Sequence, residues 1–283
     1  MTYIPKTGKV KEITSLSNPI IKNLKALSQK KNRNRESLFM AEGLKLVIDA
    51  LNLGWTIQTL IFLKSKVGHD IIENIAARTV ANGGLVIKAS QKVMESITRR
   101  DNPQTVIGIF KQQWQSTEMI RGQADDVYVA LDRVRDPGNL GTIIRTADAV
   151  GAKGVILIGE TTDPFSPETV RATMGSIFSI PLYHFDESTF LNWSKYFKGM
   201  IIGTHLKGTT DYRTIDFKNG PIILLMGNEK QGLSDILANH CNQLARIPQS
   251  GRADSLNLAV AAAIMLYEIR RSHLTLELYE TKT

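Results

Sequence analysis

Residues 127–151 read VYVALDRVRDPGNLGTIIRTADAVG. The run VYVAL (127–131) is apolar and rich in valine, which predicts a buried strand. Asp136-Pro137-Gly138 is turn chemistry. A helix that Asn139 could cap is predicted next, from the helical spacing of five apolar residues: Leu140, Ile143, Ile144, Ala147 and Val150. Strand, turn and helix in this order indicate an α/β fold.

The chain beyond this stretch repeats the pattern. Five more apolar runs read as strands, the second more weakly than the rest: GVILI (154–158), SIPLY (179–183), MIIGTH (200–205), PIILLMG (221–227) and QLARIP (243–248). Apolar strands that alternate with loops and helices are typical of a parallel sheet buried on both faces. We therefore predict a mostly parallel sheet in a domain spanning residues 126–283.

The N-terminal part predicts a second, smaller α/β domain over residues 1–110. Its helices are read at 18–30, 44–54, 70–84 and 90–98, the last capped by Ser90, and its strands at 37–43, 56–64, 85–89 and 105–110. KKNRNRES (30–37) reads as a basic loop. Residues 111–125 are polar and weakly patterned, and they are predicted to link the two domains.

Composition narrows the class of protein. The 283 residues are 42% hydrophobic and 22% charged, as in globular proteins. The single cysteine, Cys241, excludes an intramolecular disulfide and a cysteine-rich metal site, and reads as a small buried side chain. No apolar run reaches the roughly 20 residues of a membrane helix, and the first residues lack a signal-peptide core. We expect a cytoplasmic protein without a metal.

Positive charge is concentrated at one end of the chain. Residues 1–110 hold 17 Lys and Arg against 8 Asp and Glu, whereas residues 111–283 hold 18 against 19. The whole excess therefore falls in the predicted N-terminal domain. Such asymmetry favours binding of a polyanion, most simply nucleic acid, over a basic surface kept for solubility.

Three loops at predicted strand ends carry candidate site residues. Arg145 lies off the apolar stripe of its helix, Glu229 follows a buried strand in MGNEKQGLS, and Ser255 and Asn257 precede a long apolar helix. Ligands of α/β sheets bind at the carboxyl ends of strands. The simpler readings are a surface arginine and helix-capping side chains. Because GxGxxG, GxxxxGK[ST], HExxH and GxSxG are all absent from the sequence, these residues alone do not name the ligand.

The motifs themselves resemble those of a known family. NLGTIIRTADAVG, MGNEKQGLS and IPQSGRADSLNLAVAAAI, in this order and spacing, resemble the three motifs of the SpoU (TrmH-type) RNA ribose 2′-O-methyltransferases of the SPOUT superfamily, and VRATMGSIF (170–178) is a further family-like stretch. The N-terminal part is similar to the family's substrate-binding domain, which is akin to RNA-binding ribosomal proteins.

This resemblance implies a deep trefoil knot in the C-terminal domain, a homodimer formed through that domain, and S-adenosylmethionine as cofactor. The cofactor would contact Gly227, Ile247 and Leu256, with Thr204 a weaker candidate. The catalytic residues carried over are Arg145, Asn139, Glu229, Ser255 and Asn257.

The family assigns Arg145 to activation of the ribose 2′-OH. A guanidinium stays protonated, so we expect Arg145 to bind a phosphate and stabilise developing alkoxide charge instead of acting as a base. Glu229 would orient Arg145 or accept the proton. Asn139, Ser255 and Asn257 would hold the ribose or the arginine by hydrogen bonds.

The predicted activity is S-adenosylmethionine-dependent methylation of a ribose 2′-OH in structured RNA. Ribosomal RNA is favoured because the basic domain is separate and the C-terminal tail HLTLELYETKT is short. Transfer RNA as substrate, and a non-catalytic RNA-binding or ribosome-assembly factor, remain as alternatives.

Overall fold

The computed structural model describes residues 8–98, 103–206, 208–218 and 220–276. The chain divides into two compact units. The first holds the residues up to Gln113 together with Asp163–Ser179, and the second holds Trp114–Thr162 and the residues from Ile180 onward. The predicted division at 110 and 126 differs from this in two places. Asp163–Ser179 belongs to the first unit, and the predicted linker 111–125 is divided between the two units after Gln113. Within the described residues, every helix is too short or too polar to traverse a bilayer.

The first unit is a five-stranded sheet with helices on both faces. Its strands lie in the order β1-β4-β3-β5-β2, with β5 antiparallel to both of its neighbours. The strands are β1 (Lys9–Ile13), β2 (Leu38–Glu42), β3 (Thr59–Leu63), β4 (Leu85–Ala89) and β5 (Val106–Lys111). The helices are α1 (Pro19–Ala26), α2 (Lys30–Glu36), α3 (Leu44–Asn52), α4 (Asp70–Ala81), α5 (Gln91–Thr98) and, from the inserted segment, α7 (Pro167–Ala172).

Two local predictions for this unit were wrong. The basic stretch read as a loop is helix α2, ended by Ser37 in the left-handed conformation at φ 51°. Lysine and arginine are good helix formers. In addition, Arg33 on this helix is buried and paired with Asp163. Strand β1 was missed because only Ile13 of its five residues is buried. Ser90 does cap α5, since its hydroxyl accepts a hydrogen bond from Val93 N at 3.4 Å.

Segment Asp163–Ser179 completes the aromatic core of the first unit. Phe39 and Phe110 are paired across β2 and β5 and point to one face of the sheet. Phe165 lies against Phe39 at 5.0 Å between ring centroids, and Phe178 lies against Phe110 at 5.0 Å. The Trp55 indole N–H donates to the carbonyl of Phe178 at 2.8 Å. The family-like stretch VRATMGSIF therefore serves this unit as part of its core.

A buried ion pair holds the same segment. The Arg33 Nη2 and Nε atoms donate to Asp163 Oδ2 at 2.6 and 2.8 Å, with the two side chains only 4% and 7% exposed. Arg33 Nη1 also donates to the carbonyl of Leu27 at 2.8 Å. Asp163 Oδ1 accepts from Phe165 N at 2.9 Å. Both charged side chains are thus buried and hydrogen-bonded. Removal of either one would leave the other buried without its charged partner.

We expect Arg33→Ala to destabilise the first unit by about 3–5 kcal/mol, because the Asp163 carboxylate would stay buried without a partner. Chemical denaturation followed by tryptophan fluorescence measures this, since Trp55 reports on the same core. Arg35→Ala is the matched control: Arg35 is exposed and pairs with its exposed neighbour Glu36, so its loss costs less than about 1 kcal/mol. Equal effects of the two substitutions would contradict the prediction.

The second unit is a seven-stranded sheet in which all the described pairings are parallel, as predicted. Its order is β10-β12-β9-β11-β6-β7-β8. The strands are β6 (Val127–Asp132), β7 (Gly154–Ile158), β8 (Leu182–Phe185), β9 (Met200–Thr204), β10 (Thr210–Asp211), β11 (Ile222–Met226) and β12 (Gln243–Arg246). The helices are α6 (Pro137–Ala149), α8 (Glu187–Ser194), α9 (Asp235–His240) and α10 (Leu258–Arg270).

Helix α6 starts earlier than the sequence suggested. Asp136, not Asn139, is the N-cap, and its Oδ1 accepts a hydrogen bond from Asn139 N at 2.6 Å. Pro137 occupies the first helical position, where its missing N–H costs nothing. The five predicted stripe residues are all buried. The shift frees the Asn139 side chain from capping and leaves it available to a site.

Candidate functional site

A cavity of about 630 Å³ opens at the carboxyl edge of the second unit's sheet. The loops that follow β9, β11 and β12 form it, together with the start of α10 and one residue of α6. Strands β11, β9 and β12 are neighbours and parallel, so their loops must leave from the same edge. Eight of the nine predicted site residues line it: Asn139, Thr204, Gly227, Glu229, Ile247, Ser255, Leu256 and Asn257.

The loop after β11 approaches its own backbone closely at Gly227. A Cβ atom on Gly227 would lie 2.0 Å from Leu233 N and 2.1 Å from the carbonyl carbon of Gly232. Asn228 and Gly232 exchange two main-chain hydrogen bonds of 2.9 Å, which closes the loop into a tight turn. Only glycine fits at 227 without moving this turn, and residues 227–233 all line the cavity.

Glu229 lies at the tip of that turn and accepts hydrogen bonds from the segment that joins β6 to α6 and from the first turn of α6. Its carboxylate accepts hydrogen bonds from Asp136 N at 3.0 Å, Arg135 N at 3.1 Å and Asn139 Nδ2 at 3.3 Å. Burial by itself raises the pKa of Glu229, but hydrogen bonds from the Asp136 and Arg135 amides and from Asn139 outweigh it and lower the pKa below its ordinary value. Glu229 is therefore a carboxylate at neutral pH and a weak proton acceptor.

Asn139 links this cluster to helix α10. Its Oδ1 accepts a hydrogen bond from Asn257 Nδ2 at 2.9 Å, while its own Nδ2 donates to Glu229. Asn257 also caps α10, because its Oδ1 accepts from Ala259 N at 2.9 Å. Asn257 therefore both caps α10 and contacts another predicted site residue, Asn139. Three predicted residues from three separate segments of the chain form one series of hydrogen bonds, Glu229–Asn139–Asn257, in the lining of the cavity.

The remaining predicted residues contribute less. Ser255 is exposed at the cavity rim and does not cap α10. The Thr204 hydroxyl lies 3.2 Å from the sulfur of Met226. Cys241 donates to the carbonyl of Leu237, and burial raises the pKa of its thiol to about 12, which excludes a thiolate nucleophile at neutral pH.

Arg145 is the one predicted site residue that does not line the cavity. It is exposed on α6, and within the described residues its side chain makes no hydrogen bond or ion pair. The expected contact between Glu229 and Arg145 is therefore absent, because the Glu229 oxygens are taken by main-chain amides and Asn139.

Asp132 was not predicted from the sequence as a residue near the site. It is the last residue of β6, 1% exposed, and its Oδ2 accepts a hydrogen bond from Ser234 N at 3.2 Å. The signal available was a carboxylate ending a strand that is otherwise apolar, a position where burial demands partners. The identity of those partners depends on which loop lies beside it, and that is a property of the sheet order.

The chain is similar to known protein families and to individual proteins. Residues 126–267 match the SpoU rRNA Methylase family, and residues 18–108 match the MRM3-like substrate binding domain. The chain is 30% identical to the 23S rRNA (guanosine(2553)-2′-O)-methyltransferase RlmP of Bacillus subtilis (strain 168), covering 92% of this chain and 100% of that one. It is 29% identical to the 23S rRNA (uridine(2479)-2′-O)-methyltransferase of Streptomyces viridochromogenes, covering 95% of both.

A solved structure agrees with these matches over both units. The AdoMet-bound rRNA methyltransferase from Sinorhizobium meliloti is 58% identical, with a TM-score of 0.90, covering 95% of this chain and 100% of that chain. Since the family match spans half of the chain and includes every residue of the cavity cluster described above, this chain belongs to the SpoU rRNA methylase family.

Proposed function

We propose that this protein transfers a methyl group from S-adenosylmethionine to a ribose 2′-OH of ribosomal RNA. The observation that carries the proposal is the hydrogen-bonded chain Glu229–Asn139–Asn257, which gathers one residue from each of the three family motifs at one cavity. Family membership supplies the reaction class, and the curated relatives supply the RNA class.

The cavity suits S-adenosylmethionine. Gly227 lines the cavity, and the close approach of Gly232 and Leu233 to it leaves no room for a side chain there. Ile247, Leu256 and Leu258 add apolar surface for an adenine ring, and Thr204 and Gln249 add polar groups. We propose that Gly227, Ile247 and Leu256 hold the cofactor, with Thr204 at the margin. When bound, S-adenosylmethionine supplies a methyl group on a positively charged sulfur.

The chain's own residues would orient the ribose and manage the charge on its oxygen. Asn139 and Ser255 offer hydrogen-bonding groups at the rim, and Asn257 fixes the side chain of Asn139. Glu229 stays ionised and holds Asn139 and the α6 start in place, so we assign it positioning instead of proton transfer. The 2′-OH proton then passes to water, while Arg145 binds the adjacent phosphate and stabilises the developing oxyanion.

We propose that the first unit binds the RNA. Helices α1 and α2 carry exposed cations close together in sequence, at Lys22, Lys30, Lys31 and Arg35. These residues lie within residues 18–108, the range that matches the MRM3-like substrate binding domain. Lys6, Arg99 and Arg100, which also contribute to the charge excess, lie outside the described residues. Binding through phosphates weakens steeply with salt, so the salt dependence of RNA affinity measures this contribution.

A homodimer is proposed to complete the site. Helix α10 packs on α6 with its buried face, yet Val260 and Tyr267 on the opposite face are 49% and 53% exposed. With the half-buried Ile264 they form an apolar stripe at helical spacing, which favours a second copy of the chain as its cover. Sedimentation velocity measures this association.

The trefoil knot that the family resemblance implies is proposed for the same unit. The proposed location of the protein is the cytoplasm, where ribosomes act.

The substrate assignment is tested by methyl incorporation. Purified protein, labelled S-adenosylmethionine and unmodified 23S rRNA are expected to give labelled RNA whose nuclease digest contains a 2′-O-methylated nucleoside. Unmodified bulk transfer RNA is the parallel substrate. Label in transfer RNA alone would overturn the ribosomal assignment, and no label in either RNA would favour a non-catalytic binding factor. The two curated relatives modify a guanosine and a uridine, so the base must be mapped.

A further inference from the structure

The carboxyl end of β6 carries an arginine in an unusual conformation. Arg133 has a positive φ of 50°, in the left-handed region that side chains other than glycine rarely adopt. Its Nε and Nη2 donate to the two carboxylate oxygens of Asp132 at 2.7 and 2.9 Å. That hydrogen-bonded pairing raises the pKa of Arg133. A backbone in this region persists where surrounding contacts demand it.

Arg133 N donates to the carbonyl of Ile158 at 3.1 Å, and three further hydrogen bonds join Asp132 and Arg133 to the loop that carries Glu229. The carbonyl of Arg133 accepts from Asn228 Nδ2 at 2.7 Å, just before Glu229 in the chain. On the other side of the turn, Arg133 Nη1 donates to Gln231 Oε1 at 3.3 Å, and Asp132 Oδ2 accepts from Ser234 N at 3.2 Å. The pair therefore holds the turn at both of its ends.

The same turn holds the β6–α6 segment in return. Glu229 accepts from the amides of Arg135 and Asp136, two and three residues beyond Arg133. Each loop thus supplies the contacts that fix the other. Asn139, at the end of this sequence of contacts, receives its orientation from Glu229 on one side and Asn257 on the other.

We propose that Asp132 and Arg133 are positioning residues for methyl transfer, which set the placement of Glu229 and Asn139 at the cavity through the bidentate pair between them. The proposal rests on the proposed function. Neither residue lines the cavity, so they act through the turn and not on the ribose or the cofactor. Asp132 is buried and Arg133 is half-buried, as expected of groups that serve a loop.

Arg133→Asn tests the proposal. Asparagine tolerates a positive φ and keeps the carbonyl that Asn228 uses, but it removes the guanidinium. We expect kcat for RNA methylation to fall about a hundredfold, because small displacements of a positioning group have effects of that order. KM for RNA and the Kd for S-adenosylmethionine should stay within about threefold of wild type, since uniform binding is untouched. Arg133→Lys should recover part of kcat.

Arg213→Asn is the matched control. Arg213 makes the same kind of bidentate pair with nearby Asp211 in the same unit, but its side chain is 61% exposed and it does not line the cavity. Its loss should leave kcat unchanged. A merely structural role for Arg133 predicts a lower thermal midpoint with wild-type kcat per folded molecule, and that result would overturn the proposal.

Two safeguards keep the test decisive. If Arg133→Asn folds poorly, Gln231→Ala removes the 3.3 Å hydrogen bond that Gln231 accepts from Arg133 at the exposed end of the turn. Because Gln231 also lines the cavity, the Kd for S-adenosylmethionine is measured with it: a reduced kcat with unchanged KM and unchanged Kd is expected, whereas an unchanged kcat counts against the proposal. Failure of the proposed function would appear as an inactive wild-type protein. Failure of the positioning role would appear as an active wild type matched by Arg133→Asn.

Discussion

Arg145→Ala is expected to lower kcat for RNA methylation by about 10²–10³-fold, the effect of removing one group that stabilises a developing oxyanion. Arg145 is exposed and does not line the cavity, so cofactor affinity and thermal stability should match wild type. Single-turnover assays with labelled S-adenosylmethionine measure the rate, and calorimetric titration measures cofactor binding. The combination of lost turnover and intact binding separates a role toward the RNA from a role in the cavity.

Two variants sharpen the result for Arg145. Arg145→Lys keeps the charge but loses the planar fork, so partial activity would indicate a phosphate contact and no activity would indicate bidentate binding. Lys195→Ala removes another exposed cation of the same unit and should leave turnover unaffected. Wild-type turnover by Arg145→Ala would remove this residue from the mechanism.

Gly227→Ala is expected to weaken S-adenosylmethionine binding by at least about a hundredfold, or about 2.7 kcal/mol. The added Cβ would meet the main chain of Gly232 and Leu233 at 2.0–2.1 Å, and main-chain atoms cannot rotate aside. The turn must therefore shift, and with it both the surface that faces the cofactor and the Glu229 carboxylate. Turnover should fall together with affinity, which calorimetry and methyl-transfer assays measure on the same preparation.

Gly251→Ala is the matched control for Gly227. It changes a glycine in the loop that leads to α10, and a Cβ at 251 would have nothing within 4 Å. Cofactor affinity should be retained in this variant. Equal affinity of the Gly227 and Gly251 variants would show that the close approach at Gly227 does not shape the cofactor site.

The main elements of the second unit could be predicted from local sequence. Four of its strands, β6, β7, β9 and β11, are runs of apolar residues, and a strand buried on both faces needs no other signal. Placing the candidate residues at strand ends was also within reach, because all carboxyl ends of a parallel sheet share one edge. Short or exposed elements were not within reach: β10 has two residues, and β1 has four exposed ones.

Assignments that depend on distant partners could not be made this way. Lys30–Glu36 looks like a basic loop until Asp163, 130 positions away from Arg33, supplies a buried partner. Segment Asp163–Ser179 follows a strand of the second unit along the chain, yet its phenylalanines pack on Phe39 and Phe110. No periodicity records such a contact, because it is made between surfaces that only the folded sheet creates.

The sequence by itself determined the α/β class, the buried strands, the separation of charge and the motif residues that place the chain in its family. These follow from composition and from local periodicity, which every short segment carries. Only the tertiary structure decided that Glu229 holds Asn139 instead of Arg145, that Asp136 caps α6, and that Asp132 and Arg133 brace the turn beside the cavity. The physical reason is that a hydrogen bond depends on which groups come within about 3 Å, and for residues a hundred positions apart the order of strands in the sheet decides that.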